Sequence, residues 1–137
     1  MGLDTTHDAW HGPYSSFMEW RIWVAKQVGI NLLEMEGYSP DRDYTNPNRR
    51  HGKIKWETIE DDLKILLNHS DCDGHLTTSQ CKKIADRLKT ITDAMTDDYN
   101  SKLEDNWSTE ARMYNATIRF RKGCMKAYKE KEKLKFH

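Results

Sequence analysis

No apolar run in the 137-residue chain approaches the roughly 20 residues that a membrane-crossing helix needs, which excludes a helical membrane protein. The opening MGLDTTHDAW has neither the basic nor the apolar region of a signal peptide. Gly2 and Thr6 match the loose myristoylation pattern, yet Asp4 interrupts it and no polybasic stretch follows closely. There are three cysteines, Cys72, Cys81 and Cys124, and an odd count with no secretion signal argues for reduced thiols in a cytoplasm. No C-x-x-C pair, H-E-x-x-H motif, P-loop, G-x-G-x-x-G or G-x-S-x-G elbow occurs. Net charge is also lacking: 22 basic residues offset 22 acidic ones, which argues against a general nucleic-acid binder. Only 36% of residues are hydrophobic, but aromatics make up 10% and five are tryptophan, which excludes a disordered chain.

What is present reads as helix. The three prolines, Pro13, Pro40 and Pro47, all fall outside the helical segments. Phe17, Trp20, Val24 and Val28 recur at steps of three and four. With Ser15 or Ser16 as N-cap and Gly29 as stop, they predict a helix to about Gln27. Residues 31–37 add at most a turn. A second helix is expected over 57–67, with Ile59, Leu63, Leu66 and Leu67 inward. A third begins at Thr78 behind a Thr77/Gln80 capping box and buries Cys81, Ile84, Ala85, Leu88, Ile91 and Met95. A polar connection over 96–107 precedes a fourth helix, capped by Ser108 and spanning 108–129, whose internal Gly123 allows close packing. The alternation of Leu134–His137 predicts a short strand pairing with Gly2–Thr6. The expected fold is therefore mainly α: a compact four-helix single domain over 1–137, with a short strand pair formed by the two termini.

Three regions carry candidate chemistry. The long loop 38–55 is rich in positive charge, with Arg42, Arg49, Arg50, Lys53 and Lys55 and with His51 beside them, and so long a loop is either functional or a surface insertion. Residues 119–135 hold eight basic and two acidic residues, a net of +6 against −6 for the remainder. Arg119, Arg121 and Lys122 are the first candidates for an anion or an acidic partner, although charge runs are usually solvated faces. Trp10 and Tyr14, in the lead before the first helix, are candidates for a ligand or partner surface.

The turn NHSDCDGH over 68–75 supplies a third set. With Gly74 at the sixth position of an EF-hand-like loop, Asp71 and Asp73 stand at positions three and five and Leu76 at eight. His69 replaces the first aspartate and Gln80 the bidentate glutamate, which removes the strongest calcium ligands. A corner in which the aspartates satisfy backbone donors fits the same residues. A transition-metal reading, zinc in the first place, has His7, His11, His69, Cys72, His75 and Cys81 as possible ligands, and the set best suited to a metal-dependent hydrolase is His7, His11, His69, Asp71 and Asp73. Beyond such a divalent zinc or calcium ion, no cofactor is expected.

The segments MGLDTTHDAWHGPYSSF and LLNHSDCDG, with the closing Phe136-His137, resemble a family of small uncharacterised bacteriophage and prophage proteins. His75 and Gln80 stand where that family often has acidic residues. The resemblance implies a phage context, in the host-cell cytoplasm, and by analogy of context small accessory phage proteins commonly bind host components, including defence enzymes or their signalling nucleotides. The leading expectation is a non-enzymatic binding module for a host protein or a small, nucleotide-like anion, with no membrane and no general nucleic-acid binding. The alternatives are a metal-dependent phosphoester hydrolase built on the His/Asp set and a calcium-binding structural module. The unlike charges of the two parts of the chain also permit a homo-oligomer.

Overall fold

A computed structural model describes residues 2–41, 45–99 and 109–137, with the side chains of 96–99 outside the description. The chain runs β1 (Gly2–Asp4), a 3-10 turn (Thr6–Asp8), β2 (His11–Pro13), α1 (Tyr14–Gln27) and two further 3-10 turns (Leu32–Glu34 and Trp56–Thr58). It continues through α2 (Lys64–Leu67), β3 (His75–Leu76), α3 (Thr78–Tyr99), α4 (Thr109–Glu130) and β4 (Leu134–Lys135). The fold among the described residues is mainly helical, with two small antiparallel strand pairs, β1 with β2 and β3 with β4.

The periodicity of α1 places Phe17, Trp20 and Val24 in the core, without measurable exposure. The helix starts earlier than its serines suggest. Pro13 is the N-cap residue, its φ of −61 already fixed by the ring. Ser15 and Ser16 then fall in the first turn. Val28 closes the helix and Gly29 follows with φ 77, the left-handed stop that glycine permits. Trp20 donates its indole N–H to Thr117 Oγ1 at 3.0 Å, which fastens α1 to α4.

α3 and α4 form the long hairpin of the molecule. The capping box forms as read: Thr77 N–H donates to Gln80 Oε1 at 2.9 Å, and Gln80 N–H to Thr77 Oγ1 at 3.2 Å. The helices run antiparallel, since Lys82 near the start of α3 lies 5.9 Å from the ring centre of Tyr128 near the end of α4. Cys81 and Cys124 are both fully buried beside each other, and the Cys124 thiol is pushed well above its ordinary range by its contact with Cys81 and by burial. α3 continues to Tyr99, into the stretch expected to be a polar connection. The expected cap Ser108 and Trp107 lie outside the described residues.

The second helix is a correction. In place of a helix over 57–67 there is a 3-10 turn, extended backbone at Ile59, and a single helical turn, α2. Asp61 explains the late start. Its Oδ1 accepts the Leu63 N–H at 3.0 Å, and its carboxylate also holds Arg87 of α3 at 3.0 Å. A residue spent on a cap and a cross-helix pair begins a helix rather than continuing one.

The expected terminal pairing exists, in a wider arrangement. Asp4 and His137 exchange two backbone hydrogen bonds, of 2.9 and 2.8 Å, and Thr5 bridges Phe136. Just before this, Leu134–Lys135 pair with His75–Leu76, so the tail joins β1 to the 68–75 turn. Phe136 thereby enters an aromatic cluster with Phe17, Trp20, Phe120 and Trp10. Trp10 is a correction too: it is 9% exposed and packs 5.1 Å from Phe17, so it is core rather than a binding surface.

Gly123 on α4 decides how the lead docks. A Cβ there would meet Ala9 Cβ at 2.5 Å and Ala9 Cα at 2.7 Å, so the 3-10 turn and α4 touch backbone to backbone. Gly→Ala within a helix ordinarily gains about 1 kcal/mol. Gly123→Ala is expected to lose about 1–3 kcal/mol instead, because the overlap forces the lead away. Urea unfolding measures this. Ala9→Gly in the same chain should restore part of the loss, since Cα remains close; an unfolding midpoint at or above the parent's would refute the contact.

Candidate functional site

α1 presents two faces. One enters the aromatic core, and the other, with Tyr14, Ser15, Met18 and Arg21, lines a cavity of about 430 Å³. Its remaining walls are Gly37, Tyr38, Ser39, Arg49 and His51 from the long loop and Asp71 from the turn after α2. A cavity of this size is in the range of small-ligand sites.

Arg21 is the central group. It is 4% exposed, and its Nη1 donates to His69 O at 2.7 Å, with Leu66 O and Leu67 O at 3.5 Å. A guanidinium thus closes the open carbonyls at the end of α2, where the helix dipole favours a cation. Its carbon lies 4.7 Å from the centre of the Phe17 ring and 5.8 Å from that of Tyr38. Arg21 Nε is buried and has no hydrogen-bond partner among the described residues. Burial lowers the pKa of Arg21 from its ordinary value, while Tyr38 and Asp71 act in the opposite sense. An arginine starts so high that it keeps its charge at neutral pH.

The loop 38–55 has neither helix nor strand over 38–41 and 45–53, yet it is fastened at its base. Lys53 and Ile54 donate their N–H groups to Glu34 O at 2.9 and 3.0 Å, Glu36 N–H donates to Ile54 O at 2.9 Å, and Gly52 N–H donates to Tyr38 O at 2.8 Å. A Cβ at Gly52 would lie 2.0 Å from Met35 O, so only glycine fits where the two limbs cross. Tyr38 donates its hydroxyl to Leu67 O at 2.5 Å. Further out, Asp41 accepts the Arg50 N–H at 2.9 Å and its side chain at 3.1 and 3.2 Å. These bonds, the backbone one first, hold the Asp41 carboxyl below the usual aspartate range. Arg42 lies outside the described residues.

The sequence-level candidates divide among different places. Tyr14 and Arg49 meet in the cavity, joined by Asp71 from the metal set, whereas Arg50 is held by Asp41. Arg119 and Lys122 share a second groove of about 390 Å³ with His7, Asp8, Asn115 and Lys126. There Arg119 is occupied: its Nε donates to Asp8 O at 2.9 Å and its Nη2 pairs with the Asp8 carboxylate. Arg121, half-buried, faces away from this groove.

The proposed metal residues do not converge. His11 pairs with Asp4 on the β1–β2 hairpin. His69 stacks 4.2 Å from Phe136, with Nδ1 at 2.8 Å from Ser70 O and Nε2 at 3.0 Å from His75 O. It braces the turn rather than offering a free ligand. Asp73 accepts the Gly74 N–H at 2.5 Å, and Gly74, at φ 85, makes the turn beside the His69 ring. The EF-hand-like corner is not reproduced: the helix before the loop is one turn long, and the loop is closed by its own histidine. His7 alone of the five belongs to a cluster of metal-type donors, with Glu130 and Glu132.

Arg21 and Tyr38 are cavity residues that the sequence reading passes over, whereas His51 belongs to the basic loop it singles out. Arg21 carried a signal, a cation set in sequence between Trp20 and Trp23 and four residues after Phe17. Ser15, His51 and Asp71 all line the cavity, but among the described residues no hydrogen bond links any two of them, so they form no nucleophile–base relay. No protein-family model, curated protein or solved structure matches the chain.

Replacing Arg21 with Met is expected to cost about 1–3 kcal/mol, since it removes the donor from the buried carbonyls after α2. Chemical denaturation checks this, and an unchanged midpoint would refute the role. The Asp41–Arg50 pair has its own pH signature. A depressed carboxyl pKa means that the stabilisation is complete above the ordinary aspartate value of about 3.9 and disappears as pH falls through the lower folded value. The melting-temperature gap between the parent and Asp41→Asn should therefore be constant near neutrality and close below about pH 4.

Proposed function

We propose that the chain is a non-enzymatic binding protein whose cavity between α1, the long loop and the 68–75 turn takes a small organic anion with a flat ring. The observation that carries this reading is the buried Arg21, held in the cavity wall and joined there by Arg49. A guanidinium already desolvated by folding needs no further desolvation on meeting a carboxylate or phosphate, and charge-assisted bonds in such a site are strong. Tyr14 and Tyr38 supply ring faces for stacking, and Asp71 opposes the arginines as an acceptor for ligand N–H groups. A nucleotide-like ligand combines these features.

This chemistry accords with the phage-type accessory role that the sequence resemblance implies, sequestration of a small host anion. A hydrolase reading is weaker, because among the described residues the cavity is lined by a single carboxylate, Asp71, with no hydrogen-bonded base.

Isothermal titration with nucleoside 5′-monophosphates, the parent nucleosides and inorganic phosphate tests the proposal. The monophosphates are expected to bind more tightly than either part alone. Arg49→Gln should weaken them by about 10- to 100-fold, the loss of one charge-assisted bond. Absence of binding, or affinities unchanged by Arg49→Gln, would refute the reading.

A further inference from the structure

The groove on α4 ends in a group of donors that shares no residue with the cavity. His7 Nε2 lies 3.4 Å from Glu130 Oε2 and 3.3 Å from Glu132 Oε1, and the three ligand atoms fall within 4.8 Å of one another. We propose that His7, Glu130 and Glu132 bind a divalent first-row transition metal, with zinc as the reference ion.

The distances favour a shared cation over direct pairing. Charge-assisted N–H···O bonds are about 2.7–2.9 Å long, shorter than either contact here. A tetrahedral zinc site with bonds of about 2.0–2.1 Å has edges of about 3.3–3.4 Å, which both nitrogen-to-oxygen separations match. A single Nε2–H also cannot serve two carboxylates fully, whereas its lone pair and both carboxylates can point at one ion.

The surroundings are those of a ligand. The His7 side chain is 8% exposed, and its Nδ1 lies 2.8 Å from Thr6 Oγ1, the kind of outer contact that fixes the tautomer of a metal-bound histidine. Thr6 Oγ1 is itself held by the Lys135 N–H at 2.9 Å, so β4 braces the ligand. The glutamates are 43% and 59% exposed, which leaves a path for an ion. They are also the two acids of the basic 119–135 run, and Glu130 is the last residue of α4, where the helix dipole opposes an anion. One nitrogen and two carboxylates suit zinc or manganese, whereas calcium prefers six to eight oxygens.

Zinc chloride titrated into the tag-free full chain by calorimetry tests the site. One zinc per chain is expected. Glu130→Gln and Glu132→Gln should each weaken binding at least tenfold, with circular dichroism unchanged. His7→Asn, chosen because asparagine tolerates the φ of 61 found there, should abolish it. Millimolar calcium should not compete, and His11→Asn should have no effect. The proposal is overturned by the absence of zinc binding, by full affinity in Glu132→Gln, or by loss of binding in His11→Asn.

Discussion

The Arg21 guanidinium is the contact on which the arrangement of the smaller elements depends. α2 is a single turn, too short to hold itself together in water, and beyond the bonds from Asn68 and His69 N–H its terminal carbonyls need donors from elsewhere. Arg21 reaches them from α1 and closes the end of that turn, while Tyr38 adds a second donor at Leu67 O. The same cation faces two rings and Asp71. One buried charge thus joins α1, the long loop and the 68–75 turn, which have few other reasons to meet. A cavity lined by those three segments is the geometric consequence, and its cationic wall is part of what holds the fold together.

The same logic explains how so polar a chain closes a core. The aromatic cluster takes one large ring each from the lead, α4 and the tail and two, Phe17 and Trp20, from α1. Backbone contact replaces side-chain burial where space is short, as at Gly123 against Ala9. The paired α3 and α4 supply the long apolar seam, and the strand pairs fasten the tail to both the lead and the turn.

The elements that were legible in the sequence are those whose signal is local and repeated. The stripe of α3, its capping box, the Gly29 stop and the core face of α1 all depend on residues within a few positions of one another. The short second helix was not legible, because Asp61 is diverted by Arg87, a partner 26 residues away. Trp10 misled for a related reason. Its neighbours are polar loop residues, and only the fold brings it to Phe17 and Trp20. The candidate site was legible in part: Tyr14 and Arg49 were named from composition, but nothing in the sequence spacing sets them beside Arg21. The histidines show the converse. Grouped by type they suggested one metal centre, and the fold gave His11, His69 and His7 three different tasks.

The neutral total charge takes on meaning once the cations are assigned to partners. Arg50 is matched by Asp41, Arg87 by Asp61, Lys82 by Asp86 and Arg119 by Asp8. These pairings balance each of those cations locally against its own carboxylate. Arg21 differs from all of them, because its closest bonds are to neutral carbonyls. Carbonyl dipoles stabilise a cation without cancelling its charge, so Arg21 retains attraction for an anion that a carboxylate-paired arginine would have lost. Glu130 and Glu132 present the opposite case, two acids gathered on the His7 ring within a basic stretch. The field at each place is therefore set by local pairing, which a net charge of zero hides.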